Sequence, residues 1–221
     1  IAISSAKGVV GKSTIAAQFA NELNRRGHKV GLVDADIHGP SVPSLFDLPD
    51  VTVYTNKDQQ LLPIEKNGLK LMSFGFLLKE DAAIMRGPIV TRYVQQLLQN
   101  TAWGELGYLL IDMPPGTGDV ALTITQQIKL SGAVIVTTPQ TLSLLDVSRG
   151  ILMFEKVNVP VLGVIENMAF FQCPDCSKHH EIFGSHTETL KQRFGIEILA
   201  RIPVLKSFIH EVDSDVSNEF I

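Results

Sequence analysis

Short apolar runs alternate along the chain with longer stretches in which apolar residues recur every three or four positions. The runs have the length of buried strands, and the longer stretches have the period of amphipathic helices. Strands are predicted at Ile1–Ser4, Lys29–Asp34, Leu69–Phe74, Tyr108–Asp112, Gly132–Thr137 and Val161–Asn167, with a last strand ending over Leu199–Pro203, and helices at Ser13–Arg26, Ile89–Leu98 and Leu142–Val157. This alternation is typical of right-handed βαβ units and predicts a doubly wound α/β fold, a mostly parallel sheet with helices on both faces.

Residues Val51–Phe74 depart from this alternation. They alternate in polarity and contain the turn candidates Asn56-Lys57-Asp58 and Lys66-Asn67-Gly68, which predicts a peripheral hairpin leading into the strand at Leu69–Phe74. A chain of 221 residues fits one α/β domain with a substantial core, so we expect a single domain over residues 1–221.

Composition narrows the class of protein. Apolar residues make up 45% of the chain and charged residues 19%, and the net charge of −4 gives no electrostatic attraction to nucleic acid. No apolar run reaches the roughly 18 residues of a membrane span, and no signal-peptide pattern opens the chain. We therefore expect an intracellular protein with no nucleic-acid or membrane partner. The chain opens within a strand at Ile1 and ends on the polar stretch Asp213–Asn218, which suggests that segments are missing at either end.

The stretch Ala6-Lys7-Gly8-Val9-Val10-Gly11-Lys12-Ser13-Thr14 lies between the first strand and the first helix. Its spacing is that of a phosphate-binding loop, in which backbone N–H groups and a helix N-terminus surround an anion. Lys12 would reach the β- and γ-phosphates of ATP, Ser13 would bind Mg²⁺, and Thr14 would lie near the α-phosphate. Val9 is unfavourable, because a β-branched residue costs about 1–3 kcal/mol if its φ is positive. We predict an ATPase with slow hydrolysis, which Val9 puts in question.

Acidic residues follow two of the predicted strands. Asp34 and Asp36 leave the second strand, and Asp112 ends the strand at Tyr108–Asp112. Ligands bind beyond the carboxyl ends of parallel strands, so we expect the first pair to face the phosphates; the alternative is that these acids cap the following turn. Asp112 would hold Mg²⁺ through water. The loop Met113–Asp119, rigid at its prolines and loose at its glycines, suits a segment that responds to a γ-phosphate.

The only two cysteines, Cys173 and Cys176, form a C-x-x-C pair in a predicted loop at about residues 170–181. A disulfide is disfavoured inside cells, and a thioredoxin-like pair would place its first cysteine at a helix N-terminus. A closed zinc site could use both cysteines with His179 and His180, although adjacent histidines chelate one ion poorly. In the remaining alternative, two copies of the chain share four thiolates around a [4Fe-4S] cluster or a zinc ion.

The phosphate loop, with its second lysine at Lys7, resembles the deviant Walker A loop of the MinD, ParA, nitrogenase iron protein and Mrp ATPases. The family loop usually reads Gly-Lys-Gly-Gly-Val-Gly-Lys-Ser-Thr, so this chain differs at Ala6 and Val9. The resemblance implies a homodimer in which Lys7 crosses the interface to the nucleotide of the second copy.

Four further motifs occur in the order of the Mrp family of iron-sulfur cluster carrier ATPases, which includes bacterial ApbC-type and organellar members. They are Asp-x-Asp-x-x-Gly-Pro-Ser from Asp34, Asp-x-Pro-Pro-Gly-Thr-Gly-Asp from Asp112, Glu166-Asn167-Met168, and Cys-Pro-x-Cys followed by Ile182-Phe183-Gly184. Together with the phosphate loop they cover essentially the whole chain.

The resemblance implies that Asp36 positions the attacking water and that Asn167 and Pro203 hold the adenine base. It also implies a homodimer that bridges a labile [4Fe-4S] cluster through Cys173 and Cys176 and transfers it to apo-proteins, with a cytoplasmic location, or the mitochondrial matrix for an organellar member. Two alternatives stay open: a MinD- or ParA-like positioning ATPase, and a nucleotide switch whose cysteines hold zinc between subunits.

Overall fold

A central mixed sheet organises the molecule, seen in a computed structural model that describes residues 1–77, 87–139, 144–184 and 187–204. Its strands are β1 (Ala2–Ser4), β2 (Val30–Asp34), β3 (Ile64–Lys66), β4 (Leu69–Ser73), β5 (Tyr108–Asp112), β6 (Ala133–Thr137), β7 (Val161–Glu166) and β10 (Ile198–Arg201). They lie in the order β10-β7-β6-β1-β5-β2-β4-β3, and all pairs are parallel except β3 with β4. A separate antiparallel hairpin consists of β8 (Phe171–Gln172) and β9 (His179–His180).

Helices connect most of the strands, as the apolar periodicity predicts. They are α1 (Lys12–Arg25), α2 (Val42–Leu45), α3 (Phe74–Leu77), α4 (Gly87–Gln99), α5 (Asp119–Gln127), α6 (Leu144–Lys156) and α7 (Thr187–Phe194). The predicted start of the sixth helix at Leu142 and the polar stretch Asp213–Asn218 lie outside the described residues. The mostly parallel sheet with its helices confirms the predicted α/β class.

The predicted hairpin before the fourth strand is confirmed. β3 pairs antiparallel with β4, and the two residues between them, Asn67 and Gly68, have φ values of 51° and 79°. An Asn-Gly pair tolerates positive φ at both positions, and this is what a tight two-residue hairpin turn requires. The hairpin forms one edge of the sheet, away from the phosphate loop.

Polar residues collect at the carboxyl ends of the central strands. Ser4, Asp34, Asp112, Thr137 and Glu166 end β1, β2, β5, β6 and β7, and all five are buried. β1 lies in the middle of the sheet, where the chain order turns towards β5 and β2 on one side and towards β6 and β7 on the other. Such a switch point opens a crevice beyond the strand ends. The fold therefore brings the phosphate loop and the buried acids together at the carboxyl ends of the strands.

Candidate functional site: a phosphate loop and a cysteine hairpin

The phosphate loop has the backbone that an anion site needs. Val9 has φ 63° and Gly11 has φ 79°, and α1 starts immediately afterwards at Lys12. The N–H of Gly116, in the loop after β5, donates to the carbonyl of Ser5 over 2.8 Å. The loop Met113–Asp119, which is predicted to respond to a γ-phosphate, is therefore hydrogen-bonded to the residue that joins β1 to the phosphate loop.

Val9 has the strained geometry that the sequence made unfavourable. Its φ is positive and its side chain is 100% exposed, so no packing contact offsets a conformation that costs about 1–3 kcal/mol for a bulky residue. Lys7 and Gly8, next to it, are exposed as well. The tip of the loop therefore faces solvent, where a second copy of the chain could reach it.

Two features of the structure favour glycine at position 11. Beside its positive φ, a Cβ at this position would lie 2.3 Å from the Nδ2 of Asn167. Asn167 is buried, and its Nδ2 donates to the carbonyl of Val10 over 2.9 Å. The side chain predicted to contact adenine is therefore bonded to the phosphate loop itself, and Pro203, predicted for the other face of the base, is half-buried two residues beyond β10.

Lys12 forms a buried ion pair with Asp112 at the centre of the site. The Nζ of Lys12 donates to Oδ1 of Asp112 and lies 3.3 Å from the hydroxyl oxygen of Ser13. Asp112 is fully buried, and its Oδ2 has no hydrogen-bond partner in the part of the chain that the structure describes. Burial raises the pKa of Asp112, while the positive charge of Lys12 acts in the opposite direction. The free Oδ2 beside Ser13 leaves an acceptor for a cation or its bound water.

Asp34 and Asp36 are used differently. Asp34 is fully buried and accepts hydrogen bonds from the N–H groups of Ser41 (2.8 Å) and Val42 (3.0 Å) and the hydroxyl of Ser73 (3.0 Å). It therefore holds the loop after β2 in place, as the capping alternative expects, and its approach to the phosphates stays a prediction. Burial and the nearby charge of Asp112 raise the pKa of Asp34 to about 6.

Asp36 caps its turn, one of the two roles considered for it, and its role at the phosphates stays a prediction. Its Oδ1 caps the turn, accepting from the N–H groups of His38 (3.1 Å) and Gly39 (3.2 Å). The residue is half-buried, and its charge contributes to the raised pKa of Asp112. The turn therefore fixes the carboxylate of Asp36 within electrostatic range of Asp112.

The two cysteines lie in the turn of the β8–β9 hairpin, beyond the end of β7. The N–H of Ser177 donates to the carbonyl of Cys173 over 2.8 Å, and the N–H of Cys173 to that of Lys178 over 3.0 Å. Hydrogen bonds from the backbone of Cys176 and Asp175 lower the pKa of the Cys173 thiol. The turn thus favours thiolate, the form of cysteine that binds metals. Both thiols are free, with Cys173 half-buried and Cys176 exposed.

The closed zinc site considered from the sequence is not assembled. Across residues 1–77, 87–139, 144–184 and 187–204, no three His, Cys, Asp or Glu side chains come together as metal ligands. The imidazole of His179 stacks on Phe170, with ring centroids 4.3 Å apart, instead of approaching the thiols. One chain therefore offers two sulfur ligands, half of a tetrahedral thiolate set.

An ion-pair bridge lies beside the hairpin and was not predicted from the sequence. Arg201 on β10 donates to Oε2 of Glu166 over 2.8 Å and to Oε1 of Glu181 over 2.7 Å. Glu166 is fully buried at the end of β7, and Glu181 follows β9 directly. An acid ending an apolar strand was the one available signal, since the partners are 35 and 20 positions apart in sequence.

Comparison with known proteins identifies the family. A model of the ParA-type family described as "NUBPL iron-transfer P-loop NTPase" matches residues 1–219. The chain belongs to this family. It is similar to the iron-sulfur cluster carrier protein of Aquifex aeolicus (49% identical over 207 residues, 92% of this chain and 57% of the relative). It is also similar to the iron-sulfur cluster transfer protein NUBPL of Dictyostelium discoideum (47% identical, 92% of this chain and 64% of the relative).

Solved structures share the fold of this chain. A nucleotide-binding protein from Archaeoglobus fulgidus in complex with ADP is 41% identical, with a TM-score of 0.84 over 94% of this chain and 82% of the other. The MinD cell division protein of Aquifex aeolicus shares the fold, with a TM-score of 0.66, 21% identity, and coverage of 94% and 83%. The chain spans little more than half the length of the Aquifex carrier. Among the described helices, none is long and apolar enough to cross a membrane.

Proposed function

We propose that the chain is the ATPase core of an iron-sulfur cluster carrier, which holds a [4Fe-4S] cluster between two copies and delivers it to apo-proteins. The observation that carries the proposal is the cysteine hairpin, where two free thiols lie in a turn whose N–H groups favour thiolate, with no third ligand from the described chain. The names of the relatives from Aquifex aeolicus and Dictyostelium discoideum support the same cargo.

On the nucleotide side, Lys12 changes partner when ATP binds. In the present arrangement its ammonium group is paired with Asp112. A β- or γ-phosphate competes for that ammonium, and its departure leaves both oxygens of Asp112 available as acceptors. Mg²⁺ would be held by Ser13 and, through water, by Asp112, and it would neutralise charge on the phosphates. The unpartnered Oδ2 of Asp112 fits this cation.

Hydrolysis depends on residues at the rim of the site. Asp36 orients the attacking water, since its turn fixes Oδ1 and leaves the carboxylate half-exposed. Lys7 of a second copy would add positive charge to the transferring phosphoryl group, and cations of this kind supply about 10³–10⁵ in rate. Asn167 and Pro203 would contact the base. The strained Val9 at the exposed tip favours slow turnover.

On the cargo side, two hairpins supply the four thiolates. Exposed apolar side chains lie on both sides of the cysteine turn in sequence: Phe171 is 38% exposed, Ile182 62% and Phe183 43%. Exposed apolar groups around an incomplete metal site are suited to burial against a second copy of the chain. The cluster would then lie at the dimer interface and leave it when an apo-protein presents competing thiolates.

The test is anaerobic reconstitution with iron and sulfide, followed by iron, sulfide and zinc analysis of each chain. The proposal expects about two irons per chain, one four-iron cluster per dimer, lost in Cys173→Ser and in Cys176→Ser. Iron bound equally by the serine variants, or about half a zinc per chain with no cluster uptake, would refute the carrier function and favour a zinc-linked nucleotide switch.

A further inference from the structure

The segment from Asn167 to Gln172, here called the connector, joins the phosphate loop to the cysteines by a short path. Asn167 donates through its side chain to Val10 (2.9 Å) and through its backbone N–H to the carbonyl of Thr137 (2.8 Å). Cys173 begins directly after the connector. One end of the connector is therefore attached to the phosphate loop, and the other carries the thiols.

The connector is held along its length. Met168 has φ 56°, and Ala169 is fully buried with its N–H bonded to the carbonyl of Ile202 over 2.8 Å. The carbonyl of Phe170 accepts from the N–H of Val204 over 2.8 Å, and its ring stacks on His179 of β9. A segment that is hydrogen-bonded at all of its residues but Met168 can transmit a displacement at one end to the other.

Arg201 provides a second link between the end of β7 and the cysteine hairpin. Its guanidinium lies between the buried carboxylate of Glu166, adjacent to Asn167, and the exposed carboxylate of Glu181, which follows β9. In the described chain, Oε1 of Glu166 has no hydrogen-bond partner, so Arg201 is the group that compensates this buried charge. The bridge thus anchors the base of the cysteine hairpin to the end of β7.

We propose that the connector and the Arg201 bridge couple nucleotide binding to the geometry of Cys173 and Cys176, with Arg201 and Glu181 as positioning residues. The Nδ2 of Asn167 occupies the space beside Gly11, so a nucleotide that rearranges Val10 or Gly11 must move Asn167. The connector and bridge then shift the hairpin. This inference rests on the two sites of the proposed function and deepens it by naming the link between them. Coupling between sites is reciprocal, so metal at the cysteines would alter ATP affinity by the same factor.

The experiment measures the alkylation rate of the two thiols by iodoacetamide in the metal-free protein, with and without ATP and Mg²⁺. The expected result is that nucleotide changes the rate by about fivefold or more. In Glu181→Gln, which removes one arm of the bridge at an exposed site, ATP affinity stays normal and the nucleotide effect is largely lost. Changing Arg201 itself would leave the buried Glu166 unpaired and risk unfolding.

Glu105→Gln is the matched control, because Glu105 is an exposed carboxylate paired with Lys29 (3.3 Å) near the amino ends of β5 and β2, whereas the phosphate loop and the connector follow the carboxyl ends of their strands. This variant should keep the full nucleotide effect. Equal alkylation rates with and without nucleotide in the unchanged protein would overturn the coupling, and a full effect in Glu181→Gln would overturn the role of the bridge. Neither result depends on iron uptake, so a failure here is distinct from a failure of the carrier function.

Discussion

The phosphate loop and the cysteine hairpin are built in opposite ways. The loop follows the middle strand of an eight-stranded sheet, and its charged groups, Lys12 and Asp112, are buried and paired within one chain. The hairpin has two strands of two residues, is exposed, and offers two thiols. An isolated short hairpin is marginally stable in water. The buried charges of the phosphate loop are thus paired within one chain, whereas the hairpin offers two of the four thiolates that the proposed cluster needs.

The largest expected effect comes from removing the buried lysine. Lys12→Ala should abolish ATP binding and lower the free energy of unfolding by about 3–5 kcal/mol, because Asp112 keeps a buried charge without a partner. Urea unfolding and titration calorimetry measure the two quantities. In Lys12→Met combined with Asp112→Asn, much of the stability should return while binding stays absent. The cysteines should bind metal normally in a folded variant without nucleotide, and loss of metal together with ATP would contradict a metal site whose ligands all come from the hairpins.

The second effect concerns pH and the buried Asp34. Its pKa is about 6 in the folded chain against 3.8 for an aspartate in water, so the folded state binds the proton more tightly than the unfolded state does. This group therefore gains stability as pH falls through 6, a gain complete below about 4, of about 3 kcal/mol at most. The free energy of unfolding should be measured from pH 7 to pH 4 for the unchanged protein and for Asp34→Asn. The difference between the two removes the contribution of the other carboxylates. A difference between the two that does not change with pH would contradict the raised pKa.

A smaller effect tests the contact between the loop and Asn167. Gly11→Ala should lower the free energy of unfolding by about 1–3 kcal/mol, since the residue has φ 79° and its Cβ would lie 2.3 Å from Nδ2 of Asn167. Gly27→Ala is the matched control, because Gly27 also has a positive φ (87°) while a Cβ there meets nothing within 4 Å. Thermal unfolding compares them, and equal losses in both variants would show that Asn167 is not packed against Gly11.

The smallest effect is a gain. Val9→Gly should relieve the positive φ, and after the added flexibility of glycine in the unfolded chain about 1 kcal/mol of stability should remain. The ATPase rate should rise as well, because the exposed isopropyl group is removed from the loop tip. Val9→Asn, which tolerates positive φ but keeps a side chain, separates strain from bulk. A loss of stability in both variants would contradict the strained loop.

Features that depend on local pattern were predicted correctly from the sequence. The Asn67-Gly68 hairpin, the strand ending at Asp112 and the strand–loop–helix around Lys12 all follow from apolar spacing and turn chemistry over a few residues. The cysteine turn, too, lies within the predicted loop.

Features that depend on contacts between distant residues were not predicted. Asp34 and Asp36 look equivalent in sequence, and only the folded chain shows that Ser73 donates to Asp34 while Asp36 caps the turn after β2. The Arg201 bridge joins residues from three segments, and no local period marks it. Asn167 could be placed near the nucleotide by resemblance, but its bond to Val10 needed the folded backbone.

The central claim is that each chain supplies two of the four cluster ligands. Its most direct test is native mass spectrometry of the anaerobically reconstituted protein, which reports metal content and subunit number for the same particle. We predict a dimer that carries about four irons and four sulfides, and no cluster on the monomer. Dimers formed between the unchanged chain and a chain carrying both Cys173→Ser and Cys176→Ser should be empty, because two thiolates remain. A monomer that holds a complete cluster, or a filled mixed dimer, would contradict the account.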